Sequence, residues 1–104
     1  MVKYTKKRPQ RRPEHPGAIL QRIWLDELNY SQSHFAELLA KASPNEVKAS
    51  TMRTKLSELI KGKRSMSADF AVLISKVLKT KPRMWMNLQT NLDIWEAEEK
   101  INAA

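Results

Sequence analysis

From Pro16 onward, apolar residues recur at spacings of three and four, the period of a helix and not of a strand. Ile19, Leu20, Ile23, Trp24 and Leu28 share one face of a first helix. Pro16 suits its first position, and Asn29-Tyr30 ends it. Phe35, Leu38, Leu39 and Ala42 stripe a second helix, with Ser31 as its N-cap and His34 where a capping-box Glu usually sits. Met52, Leu56, Leu59 and Ile60 stripe a third, behind a cap at Ser50 or Thr51, and Gly62 can take the left-handed conformation that stops a helix. Ser67 caps a fourth helix, whose buried face is Phe70, Leu73, Ile74, Val77 and Leu78. Thr80 is expected to cap a fifth, with Pro82 near its start and Met84, Trp85, Leu88, Leu92 and Trp95 facing inward. No stretch alternates with period two for long enough to be a strand. The pattern predicts one all-α domain of five short helices over residues 15–104.

Two segments fall outside this rhythm. Residues 1–14, MVKYTKKRPQRRPE, have almost nothing apolar to bury and predict a flexible basic arm. Residues 41–50, KASPNEVKAS, separate the second and third stripes, and Ser43-Pro44-Asn45 is a turn signal.

Charge changes this picture. The net charge of +8 is unevenly placed. Residues 1–13 carry six Lys/Arg and no acid, and residues 53–83 carry nine against Glu58 and Asp69. The acids Asp93, Glu96, Glu98 and Glu99 gather at the C-terminus. Such asymmetry suits a polyanion partner. The order of elements in residues 31–64 adds a mechanism. A short capped helix, a connection and a second helix with a basic start, closed by Gly62-Lys63-Arg64, follow the order of a helix-turn-helix. A major groove about 12 Å wide admits one helix, and Lys and Arg beyond its end can hold the backbone. Cations at a helix start are electrostatically unfavourable, so Arg53 and Lys55 point to an external anion. The plainer reading makes them the solvated side of an amphipathic helix.

Other chemistries are poorly represented. The chain has no Cys, so disulfide and thiolate chemistry are excluded and a reducing cytoplasm is expected. No apolar run is long enough to span a bilayer, and the basic N-terminus lacks the apolar stretch of a signal peptide. His15 and His34 lack partner spacing for a metal. No catalytic constellation or phosphate-binding glycine loop is present, so neither an enzyme nor a cofactor is expected. Trp24, Trp85 and Trp95 keep helical register, which favours core or dimer contacts over base stacking.

The segments HPGAIL (15–20), YSQSHFAELLA (30–40), KLSELIKGKRSMSADFAVLISKVLKT (55–80) and PRMWMNLQTNLDIW (82–95) resemble the HigA-type antitoxins, also known as virulence-associated protein I. The resemblance covers about residues 15–96. It implies a five-helix phage-repressor-like fold working as a homodimer on a palindromic operator in its own promoter. It also implies a HigB-type toxin partner, an mRNA-cleaving nuclease. Carried onto this chain, Gln32 would hold a phosphate. Arg53, Thr54 and Lys55 would read bases, with Ser57 nearby, and Lys61, Lys63 and Arg64 would grip the backbone. With Ser33 and Thr51 at the helix starts, these are the candidate DNA contacts. Trp85, Leu88, Leu92 and Trp95 are the candidate dimer contacts. The family's tight Gly-containing turn is replaced here by a Gly-free connection roughly ten residues longer, which costs little closure entropy. The competing functions are an RNA-binding module and a purely protein-interacting module with the same helical fold.

Overall fold

A computed structural model describes residues 11–103. Residues 1–10, most of the basic arm, lie outside the described residues, as does Ala104. Among the described residues there are five helices and no strand. Helix α1 is α-helical over Pro16–Ile19, π-helical over Leu20–Leu25 and α-helical again over Asp26–Leu28. Four helices follow: α2 (Gln32–Ala42), α3 (Ala49–Ile60), α4 (Ala68–Leu78) and α5 (Pro82–Ala103). Among the described residues no helix is long and apolar enough to cross a membrane. Arg12 reaches Glu96 at 2.8 Å and Arg22 pairs with Glu14, two exposed ion pairs that involve the chain just before α1.

Local hydrogen bonds explain most of the boundaries. The Ser31 hydroxyl accepts the His34 N–H at 3.0 Å, and the Ser67 hydroxyl accepts the Phe70 N–H at 3.2 Å. Gly62 has φ 77°, and α3 closes with Lys63 N–H donating to Glu58 O and Gly62 N–H to Leu59 O, the paired bonds of a Schellman stop. Asn29 and Lys79 end α1 and α4 in the left-handed region, at φ 57° and 61°. Two expected caps are absent. Helix α3 begins at Ala49 behind Lys48, which gives no side-chain cap, so Ser50 and Thr51 lie within its first turn. Thr80 does not cap α5. Its hydroxyl accepts the Trp85 indole N–H at 2.8 Å and donates to Ser75 Oγ at 3.1 Å.

Leu20, Leu25, Phe35, Leu39, Leu56, Leu59, Ile74 and Trp85 are fully buried and bring all five helices to one core. The face of α1 differs from the expectation. Leu25 is buried, whereas Ile23 and Leu28 are 44% and 46% exposed. The π-helical segment is the reason: its i→i+5 bonds put Leu20 and Leu25 on one side and Ile23 and Leu28 on another. Helices α2 and α3 pack on each other, and the start of α1 lies on the end of α3. This last approach is very close. A Cβ on Gly17 would sit 1.9 Å from the Leu59 carbonyl oxygen, so only Gly fits there.

The connection between α2 and α3 is also shorter than expected. Four residues of KASPNEVKAS are helical, which leaves only residues 43–48 outside the helices. Val47 packs against the core and Lys76 Nζ donates to Ala42 O at 3.4 Å, which ties both the turn and the end of α2 to the body.

Candidate nucleic-acid interface

The side of α3 that packs inward is fixed by Met52, Leu56 and Leu59, all buried. This leaves Thr51, Arg53, Thr54 and Lys61 exposed, with Ser57 half-buried among them. Arg53 Nη1 lies 3.5 Å from Ser33 Oγ, so the second helix position of α2 meets the first turns of α3. Gln32 is half-buried and its amide donates to Gln21 Oε1 at 3.3 Å. The structure therefore joins Gln21, Gln32, Ser33 and Arg53 into one polar strip across α1, α2 and α3. Gln21 was not among the expected contacts. It is half-buried, and its only sequence signal is a polar residue between apolar Leu20 and charged Arg22.

Two expected contacts stand apart from the strip. Lys55 and Arg64 line a groove of about 680 Å³ between the α2–α3 turn and α4, floored by Val47, Met52, Phe70 and Leu73. Arg64 also donates through Nε and Nη2 to Glu58 Oε1, at 3.2 and 2.8 Å. Glu58 is the one acid of α3, and this pair offsets its charge. The partners are 43% and 42% exposed, so the pair itself contributes about 0–1 kcal/mol. The Thr54 hydroxyl is spent on the Ser50 carbonyl at 3.2 Å. Lys61 and Lys63 are exposed beside Gly62, at the far end of α3.

His15 braces this far end from below. It is 9% exposed, and its Nδ1 accepts the Gly17 N–H at 2.9 Å, which makes it the N-cap of α1. Its pKa is lowered from 6.5, first by burial and then by Arg12, against the raising effects of the Arg64 carbonyl, Glu96 and Asp93. Among the described residues no group of three or more His, Asp or Glu is placed to hold a metal.

No protein-family model matches the chain. Individual proteins do. The HTH-type transcriptional regulator YddM of Escherichia coli, itself uncharacterised, is 35% identical over 89 residues, covering 86% of this chain and 83% of its own. A HigA-family addiction module antidote protein from Coxiella burnetii is 30% identical, with a TM-score of 0.72 over 89% of this chain and 90% of that one. The chain belongs to the HigA-type antitoxins. The Pseudomonas aeruginosa antitoxin HigA, solved with the higBA promoter, has a TM-score of 0.72 and 29% identity, covering 88% of this chain and 89% of that one. The HigA-type family is one of helix-turn-helix regulators and antitoxins, not of enzymes.

Within this HigA-type chain the expected dimer contacts divide. Trp85 and Leu92 are 0% and 1% exposed inside a single chain, so they offer no surface to a second copy. Trp85 is covered from within, its ring 6.3 Å from that of Trp24. Leu88 and Trp95 are half-buried, next to the more exposed Met84 and Ile94 of α5. The spacing of apolar residues showed which side of α5 is apolar but not what covers it.

Proposed function

We propose that this chain is an operator-binding repressor of its own toxin–antitoxin genes. In this reading the outward side of α3 enters the major groove. Arg53 contacts base edges, Ser33 and Gln32 meet the phosphate beside α2, and Lys61 and Lys63 hold the backbone beyond the end of α3. The observation that carries it is the strip from Gln32 and Ser33 to Arg53, with Lys61 and Lys63 exposed at the far end of α3 and Glu58 paired with Arg64. The promoter complex of the Pseudomonas aeruginosa relative supports the same reading. The protein acts as a homodimer through the outer side of α5, with Leu88 and Trp95 flanked by Met84 and Ile94. A two-fold dimer matches a palindromic site. Family membership also supports neutralisation of a HigB-type toxin encoded beside it.

Competition between an operator duplex and a random duplex, at one stated salt concentration, tests the DNA reading. Arginine pairs with guanine through two hydrogen bonds, worth about 1–3 kcal/mol of discrimination. Arg53→Ala should therefore lose roughly tenfold of the operator preference. Lys63→Ala should weaken both duplexes alike, because a phosphate contact carries no sequence information. If Arg53→Ala keeps its full preference while folded, α3 does not read bases through its first turns.

A further inference from the structure

The proposed DNA contacts use Gln32 but give no role to the residues that hold it. Asp26 Oδ1 accepts a Gln21 Nε2–H at 2.7 Å, and Gln21 Oε1 accepts a Gln32 Nε2–H at 3.3 Å. Three side chains thus run in series from α1 to the first residue of α2. The π-helical segment makes the first link possible. On an α-helix, residues five apart point about 140° away from each other, and side-chain pairs form at spacings of three and four. Here the Asp26 N–H donates to the Gln21 carbonyl in an i→i+5 bond, which brings residues 21 and 26 to one side. Gln21 and Asp26 are therefore joined by main chain and side chain alike.

The direction of the series is set at its charged end. A carboxylate only accepts, so the Gln21 amide turns its nitrogen to Asp26 and its oxygen to Gln32. Gln32 must answer with its nitrogen, since its own oxygen there would meet an oxygen. One Nε2 hydrogen of Gln32 goes to Gln21, and the amide carries a second that can donate. A phosphate oxygen also only accepts, so where that nitrogen lies decides the contact. We propose that Gln21 is a positioning residue for DNA binding: oriented by Asp26, it holds the Gln32 amide in the orientation that donates to a phosphate. This role rests on the DNA-binding reading above, and it adds α1 to the working parts of the interface. Asp26 has the wrong charge for a polyanion, so it serves through Gln21 and not by touching DNA.

Fluorescence anisotropy on an operator duplex and a random duplex, at one low salt concentration, reads this out. Gln21→Met keeps the length of the side chain and removes the acceptor carbonyl. It should weaken binding to both duplexes about fivefold, the fold-change of one ordinary hydrogen bond. Operator preference should stay as in wild type, because a phosphate contact carries no sequence information. Gln32→Met should weaken both duplexes at least as much. The double variant should be no weaker than Gln32→Met alone, because Gln21 acts only through Gln32. A general loss of structure would instead multiply the two effects, and circular dichroism checks that each variant is folded. Wild-type affinity in either single variant, a loss confined to the operator, or losses that multiply in the double variant overturns the proposal. If Gln21→Met does not fold, Asp26→Ala decides. It removes a negative charge, which by itself tightens a polyanion complex. In the Gln32→Met background only that gain should remain, whereas in the wild-type background loss of the series should offset it. Equal gains in both backgrounds overturn the proposal. Failure of wild type to bind any duplex overturns the DNA-binding reading itself, whereas wild-type affinity in Gln21→Met beside a weakened Gln32→Met removes only the positioning role.

Discussion

Gly17→Ala sets two known effects against each other. Replacing a helical glycine by alanine ordinarily stabilises by about 1 kcal/mol, through helix propensity. Here the new methyl would meet main chain, not a yielding side chain: Leu59 O at 1.9 Å, Leu59 C at 2.5 Å and Ile60 Cα at 2.9 Å. Restoring an ordinary 3.4 Å contact with that oxygen means withdrawing α1 by about 1.5 Å. The same oxygen accepts the Gly62 N–H that stops α3, so it has little freedom to move instead. Overpacking a close-packed site costs about 1–3 kcal/mol, and a clash between two backbones belongs at the upper end. The net loss is about 2 kcal/mol, or about 8–16 °C in Tm for a domain of this size. Urea denaturation followed by circular dichroism measures it, with the m-value checking that the unfolded state is unchanged. A variant as stable as wild type, or more so, would refute the seating of α1 on the end of α3.

Three further outcomes follow from residues described above. Gln89 is 4% exposed and accepts the Met66 N–H at 2.7 Å, so Gln89→Leu strands a buried donor and should lower unfolding free energy by about 1–3 kcal/mol in the same denaturation assay. Sedimentation at micromolar concentration should give a dimer of about 24 kDa, twice the 12.1 kDa chain, and Trp95→Glu should shift it toward monomer without unfolding it. Binding to a random duplex should weaken steeply with salt, with a logarithmic slope for the dimer on the order of −4 or beyond if Lys61 and Lys63 of both subunits engage. A shallow slope would mean that these lysines do not meet phosphate.

What the sequence made legible was short in range. Ser31 and Ser67 each bond an N–H three residues on, and Gly62 closes a turn with its immediate neighbours, so local residue types suffice to find those boundaries. The apolar spacing likewise gave α2 and α3 their inward sides, because both keep ordinary helical period. It failed in α1, where the period changes over Leu20–Leu25. It also had no means to find Gln89, a polar residue buried at a stripe position by a bond to a main chain 23 residues away. The same limit applies to the candidate site. Arg53 could be placed on the outward side of α3, but its meeting with Ser33 and the diversion of Arg64 to Glu58 depend on how elements pack. Trp85 and Leu92 read both as inward-facing by spacing and as candidate dimer contacts, because a large apolar residue looks the same whether its own chain or a second copy covers it.

The π-helical turns of α1 carry an evolutionary consequence. Such a segment has one residue more than an α-helix needs to join the same two ends. Removing a residue between Leu20 and Leu25 would restore an ordinary helix between the same two ends, so His15, Pro16 and Gly17 would keep their seat on the end of α3 and Asp26–Leu28 theirs. Elsewhere in α1 a deletion has no surplus to consume and would turn the chain before it by about 100° relative to the chain after it. Drift in length among relatives of this chain should therefore be tolerated at this surplus residue and in residues 43–48, which lie outside the helices, and purged from the rest of the helices.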